Sequence, residues 1–123
     1  MNQETREAID GLLRDNRVVL FMKGNRAQPQ CGFSAKTVSA LDMVLTDYVT
    51  IDVLRDPEIR EGIKVYGNWP TIPQLYVDGE LVGGSDIVTA MFDSGELGSV
   101  LGLAEPAGNP PRIEIDAPAA ESC

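Results

Sequence analysis

Val18-Val19-Leu20-Phe21-Met22-Lys23-Gly24-Asn25-Arg26-Ala27-Gln28-Pro29-Gln30-Cys31-Gly32-Phe33-Ser34 is the stretch whose reading decides the fold. Its first five residues are apolar without alternation, which predicts a strand covered on both faces, as at the centre of an α/β sheet. Lys23 to Gln30 is polar and contains Gly24 and Pro29, so a loop follows the strand. From Phe33 to about Leu45 the apolar positions Val38, Leu41 and Leu45 recur at three- and four-residue intervals, and a helix is expected to start directly after Cys31-Gly32. A cysteine at such a strand, loop and helix junction stands where unpaired N–H groups and the helix dipole favour the thiolate. Its pKa is expected to fall, with Lys23 at the strand end adding positive charge nearby.

Outward from this stretch the pattern is regular. Upstream, Ala8, Ile9, Leu12 and Leu13 share one face of a helix from about Thr5 to Asn16. Downstream, Tyr48 to Val53 is a short β-rich segment, and Asp56-Pro57 supplies a cap and first turn for a third helix with Ile59, Ile63 and Tyr66 inward. The corner Trp69-Pro70-Thr71-Ile72-Pro73 leads into a strand, Gln74 to Val77, and Asp78-Gly79 is a type I′ signal for a hairpin with Glu80-Leu81-Val82. Gly83-Gly84 breaks that strand. Ser85 is expected to cap a helix carrying Ile87, Val88, Met91 and Phe92 as far as Gly95, and a last short helix spans Glu96 to Leu103. The order α-β-α-β-α-β-β-α-α, with its one long loop before a cysteine that opens a helix, is the thioredoxin-like arrangement. The expected fold is α/β, a four-stranded mixed sheet flanked by helices.

Composition bounds the chemistry. The 123 residues, 43% hydrophobic and 24% charged, suit one domain with one modest core. That domain is placed at residues 1–103. Residues 104–123 contain four prolines, five alanines and four acids against one base, and are expected to form a disordered acidic tail. No apolar run approaches the roughly 20 residues of a membrane-spanning helix. The opening residues, with Glu4, Glu7, Asp10 and Asp15, do not read as a secretory signal, so a cytoplasmic location is expected. The chain has no histidine, which removes Ser-His-Asp triads, Cys-His dyads and His-ligated metal sites. With 19 acidic residues against 10 basic ones and a net charge of −9, no nucleic-acid partner is expected.

Cysteine use narrows it further. Cys31 and Cys123 are the only two, so there is no disulfide framework and no four-thiolate metal site within one chain. Ser34 stands where a Cys-x-x-Cys motif has its resolving thiol, and serine forms no disulfide. A dithiol cycle within the motif is therefore closed. What remains open is a monothiol cycle that borrows glutathione, or a thiolate used as a metal ligand. Cys123 is a further resolving candidate, because about 20 flexible residues have a root-mean-square reach of roughly 25 Å. The plain alternative for Cys31 is a small core residue.

Four motifs together, Met22-Lys23-Gly24, Cys31-Gly32-Phe33-Ser34, Trp69-Pro70-Thr71-Ile72-Pro73-Gln74 and Gly83-Gly84-Ser85-Asp86-Ile87, resemble the monothiol glutaredoxins of the single-domain Cys-Gly-Phe-Ser type over about residues 3–103. The resemblance implies a glutathione-binding, thioredoxin-like fold in which two protomers bridge a [2Fe-2S] cluster for iron-sulfur assembly, transfer and iron homeostasis. Four thiolate-type ligands then come from two Cys31 residues and two glutathiones. It assigns Lys23 and Arg60 to the glycyl carboxylate of glutathione, Ile72 at a cis-proline junction to its cysteinyl backbone, and Ser85 with Asp86 to its γ-glutamyl group. Taken alone, Arg60 reads as a solvated helix residue paired with Glu61 or Asp56, and Gly-Gly-Ser-Asp as a turn and cap. Gly83-Gly84 would let backbone approach the ligand closely. Trp69 is assigned to packing and left outside the site. Phe33 has two open readings, shielding the thiolate or anchoring the second helix.

Two departures stand out. Asn25-Arg26 occupies the loop where many relatives carry a small hydroxyl residue and proline, which puts loop rigidity and local charge in question. Ser85 stands where many relatives have cysteine, leaving Cys31 as the sole thiol of the domain. The expected function is a glutathione-ligated iron-sulfur carrier, homodimeric when loaded, with recipient proteins and a BolA-type protein as partners. The rival is a glutathione-dependent oxidoreductase that deglutathionylates proteins, with Cys31 as its catalytic nucleophile.

Overall fold

The computed structural model describes residues 1–102. In chain order the elements are α1 (Gln3–Asp15), β1 (Val18–Met22), α2 (Gly32–Asp42), β2 (Val49–Asp52), a 3-10 turn (Val53–Arg55), α3 (Pro57–Tyr66), β3 (Gln74–Val77), β4 (Glu80–Gly83), α4 (Ser85–Ser94) and α5 (Leu97–Val100). Leu103, the segment 104–123 and Cys123 lie outside the described residues.

All five residues of β1 are buried because it is a central strand with a layer on each face. The sheet order is β2-β1-β3-β4; β1 runs parallel to β2 and antiparallel to β3, which pairs antiparallel with β4. Side chains alternate along β1, so Val18, Leu20 and Met22 pack with Val38 and Leu41 of α2, Val88 of α4, Leu97 of α5 and Leu101 just after it. Val19 and Phe21 turn the other way, onto Ile9 and Leu13 of α1 and Ile59 and Ile63 of α3. The missing alternation in the sequence is the mark of this two-sided burial. This is the expected thioredoxin-like sheet with helices on both faces.

Local chemistry sets the boundaries. Asn2 caps α1 by accepting the Thr5 N–H at 2.7 Å, and Asp56 caps α3 through the Ile59 N–H at 3.2 Å with Pro57 in the first turn. Asp78 and Gly79 have φ of 52° and 83°, the left-handed pair a type I′ hairpin requires. Three expectations need correction. α2 ends at Asp42 and not near Leu45, because the Met43 and Val44 N–H groups tighten onto Ala40 and Leu41 carbonyls in three-residue steps. Val44 and Leu45 still pack on the core, so their apolar spacing was real but not helical. Ser85 does not cap α4; Gly84 holds that position without a side-chain bond and Ser85 is the first helical residue. Within the described residues, α5 is a single turn, shorter than Glu96 to Leu103.

The loop between β1 and α2 is folded on itself. Gly24 and Pro29 form a bridge, the Gln30 N–H donates to the Lys23 carbonyl at 2.8 Å, and the Asn25 N–H donates to the Gln28 carbonyl at 3.2 Å. Asn25 Oδ1 accepts the Gln28 N–H at 2.8 Å, and Asp52 Oδ1 takes the Gly24 N–H at 3.0 Å. Gly24 has φ of 86°, and a Cβ there would stand 2.5 Å from the Gln28 carbonyl oxygen and 2.6 Å from the Gln30 nitrogen. Gly24→Ala should therefore cost about 1–3 kcal/mol in urea unfolding. Gly79→Asn, with a similar φ in open space, should cost less than about 1 kcal/mol. Equal losses would mean that backbone conformation, and not loop closure, makes Gly24 necessary.

Candidate functional site

Cys31 is the N-cap of α2, in extended conformation, and its Sγ accepts the Ser34 N–H at 3.3 Å. A sulfur in this position occupies the place an Asp or Ser oxygen takes at an ordinary helix start. Ser34 is fully buried, and its Oγ lies 3.3 Å from Sγ while accepting the Lys23 backbone N–H at 3.1 Å. With that lone pair committed, the Ser34 hydroxyl proton is free to turn toward an ionised sulfur. Burial pushes the Cys31 thiol up, but the Ser34 hydroxyl, the Ser34 and Phe33 N–H groups and the Lys23 charge together outweigh it. The net pKa lies below the ordinary thiol value.

The fall was expected from the sequence; its leading cause was not. Lys23 is the smallest of the lowering contributions and Ser34 the largest. From sequence, Ser34 registered only as an absent second thiol. The signal available was the N3 position of a helix opened by cysteine, where capping partners sit.

A groove of about 530 Å³ is bordered by Lys23 and Phe33, on either side of Cys31 in the chain, while Cys31 itself is not among its lining residues. Lys23, Arg60, Ile72, Ser85 and Asp86, the five residues assigned to glutathione, all line it. β1 delivers Lys23, α3 Arg60, the loop before β3 Ile72, and the start of α4 Ser85 and Asp86. The Ile72-Pro73 peptide is cis, as expected. Arg60 combines both of its readings, since its Nε lies 3.4 Å from Glu61 Oε2 while its side chain, 43% exposed, still borders the groove. Phe33 lines the groove and is 63% exposed, so it does not anchor α2.

Sequence reasoning left several lining residues unassigned, Lys64 and Trp69 among them. Lys64, one turn after Arg60, adds a third cation, a position that helical spacing alone would have placed beside Arg60. Trp69, set aside as packing, also borders the groove. Its Nε1 and Ser85 Oγ are buried without a hydrogen-bond partner among the described residues. Unpaired buried polar atoms are rare and call for an explanation. The glycines before α4 are tightly packed, and Gly84 lines the groove. A Cβ on Gly83 would press into Ile87, and one on Gly84 would lie 3.1 Å from the Pro73 carbonyl and 3.2 Å from Trp69 Nε1. Their smallness lets the start of α4 pack on the groove wall.

The glutaredoxin family model matches residues 18–82. A Synechocystis sp. protein described as a monothiol glutaredoxin, ycf64-like, is 54% identical over 104 residues, covering 85% of this chain and 97% of its own. The chain belongs to the monothiol glutaredoxins. Monothiol glutaredoxin-5, mitochondrial, of Schizosaccharomyces pombe is 48% identical over 104 residues, covering 82% of this chain and 71% of its own. Among solved structures, reduced poplar apo GrxS14 superimposes with a TM-score of 0.70 at 40% identity, over 79% of this glutaredoxin and 89% of that chain.

Since the thiolate is the nucleophile, alkylation of Cys31 by iodoacetamide should reach half its maximal rate at a pH below that of a free thiol. In Ser34→Ala the midpoint should move up, because the strongest opposition to burial is removed; Lys23→Gln should move it up less. An unmoved midpoint in Ser34→Ala would sink this account of the thiol.

Proposed function

We propose that this glutaredoxin binds glutathione in the groove bordered by Lys23 and Phe33 and, as a homodimer in the cytoplasm, carries a [2Fe-2S] cluster as cargo to recipient proteins, with a BolA-type partner. The observation that carries the reading is the pairing of one activated sulfur with a largely apolar groove that also gathers three cations and one carboxylate. Glutathione brings two carboxylates, an amine and a thiol. Lys23, Arg60 and Lys64 suit the carboxylates, the Asp86 carboxylate suits the amine, and the orphaned Ser85 Oγ and Trp69 Nε1 suit polar atoms of a peptide. A glutathione in that groove supplies a second sulfur at the site.

Ligand arithmetic supports the dimer. Among the described residues no group of three or more His, Cys, Asp or Glu side chains is placed to hold a metal. A [2Fe-2S] core takes four thiolate-type donors. Cys31 of each protomer and one glutathione per protomer make four, and because half of these are small exchangeable molecules the cluster is suited to release.

The lowered thiol of Cys31 favours a second reading, weak glutathione-dependent oxidoreductase activity. The thiolate attacks the glutathione sulfur of a protein mixed disulfide, a Cys31–glutathione disulfide forms, and the protein thiolate leaves and takes a proton. A second glutathione thiolate then attacks the bound glutathione sulfur, releasing oxidised glutathione and restoring Cys31. Ser34 cannot replace that second glutathione.

Anaerobic reconstitution with iron, sulfide and glutathione should give a brown dimer with visible charge-transfer absorption, and Cys31→Ser a colourless monomer. Lys23→Gln should weaken glutathione binding by roughly tenfold in calorimetry, the scale of one lost charge-assisted bond. A coloured Cys31→Ser variant with stoichiometric sulfide refutes the carrier reading. Turnover of a glutathionylated peptide at the rate of a dithiol glutaredoxin would instead favour the enzyme.

A further inference from the structure

Arg26, at the tip of the 23–30 loop, is engaged far more heavily than a loop arginine needs to be. Its Nε donates to Asp42 Oδ1 at 2.9 Å and its Nη2 to the Thr46 carbonyl at 3.0 Å, and Nη1 lies 3.7 Å from Asp47. The guanidinium carbon sits 4.3 Å from the centroid of the Tyr48 ring. Tyr48 Oη donates to the same Asp42 Oδ1 at 2.9 Å, which fixes the carboxylate from the other side. The arginine side chain is 31% exposed, Asp42 43% and Asp47 95%, so this is a surface knot held by shared partners and the stacked ring, not by burial.

The knot's location gives it a consequence. Asp42 is the last residue of α2, the helix whose first turn is capped by Cys31. The loop is thus joined to α2 twice, covalently at Cys31 and through Arg26 at the far end, about 16 Å away along an 11-residue helix. Asp52 holds the third corner through the Gly24 N–H. Inside this triangle Lys23 is the joint with the thiol. Its carbonyl accepts the Gln30 N–H and its own N–H donates to Ser34 Oγ, the atom that faces Cys31 Sγ.

We propose that Arg26 is a positioning residue for Cys31: by locking the loop tip to the far end of α2 it holds Lys23 and Gln30 in place, and through Lys23 the Ser34 hydroxyl beside the thiol. The planar fork and stacked face of arginine are what the site uses, so lysine is no equivalent. This goes beyond the cluster reading and does not depend on it, because the test needs neither glutathione nor iron.

The experiment combines hydrogen exchange of the loop amides with alkylation kinetics of Cys31 in the whole chain. In Arg26→Gln, protection of the Gln28 and Gln30 N–H groups should fall by roughly tenfold, the scale of a lost stacked ion pair, and iodoacetamide should react with Cys31 severalfold more slowly at neutral pH. Asp42→Asn should act in the same direction, and Arg26→Lys should recover only part of the loss. A double-mutant cycle supplies the readout that a structural tether would not move: in a Ser34→Ala background, Arg26→Gln should leave the alkylation rate almost unchanged. Wild-type alkylation kinetics in Arg26→Gln, or additive effects in the cycle, would overturn the proposal.

Discussion

One buried hydroxyl organises the site. Ser34 joins the end of the central strand, through the Lys23 N–H, to the thiol at the start of α2. Both contacts come from an atom with no access to water, so each is made in a medium where a hydrogen bond is electrostatically stronger and a lost one costs more. Desolvation alone would raise the Cys31 thiol and reduce its thiolate fraction. The serine that rules out a dithiol cycle is therefore also the group that does most to offset burial at the remaining thiol. One residue closes one chemistry and opens another.

The two-sided core makes this possible. Because β1 is packed from above and below, its last residues are fixed relative to α2 on one face and α3 on the other. Lys23 follows β1 directly, Cys31 opens α2, and Arg60 rises from α3. The groove is therefore bounded by elements whose spacing is set by the sheet, and only the wall from Trp69 to Pro73 and the start of α4 depend on local turns. There the tight approach of Gly84 to Trp69 and the Pro73 carbonyl replaces sheet geometry as the constraint.

Much of this was legible in the chain. The unbroken apolar run of β1, the Asp56-Pro57 start and the Asp78-Gly79 turn each carry local physics strong enough to survive tertiary context, and the structure has all three. Less legible was whatever depends on who stands opposite. Leu45 kept its core-facing position after the helix had ended, because burial and helical period are separate properties. Ser85 has the right chemistry for a cap, yet Gly84 enters the cap geometry first. Trp69 looked like packing because a sequence does not show which side of a proline corner faces solvent. Asn25-Arg26 left loop rigidity in question because the partners of Arg26, Asp42 and Tyr48, stand 16 and 22 positions later.

Charge placement completes the argument. The whole chain carries −9, a field that at long range opposes any anionic ligand. At physiological ionic strength that field is screened beyond about 8 Å. What a ligand meets in the groove is decided at contact distance, where Lys23, Arg60 and Lys64 are gathered and Asp86 is the one acidic lining residue among the described residues. Recognition at such a site rests on paired contacts and not on electrostatic steering. A peptide with separated carboxylate and ammonium ends matches that layout better than a simple anion does, since only the former uses the cations and Asp86 at once.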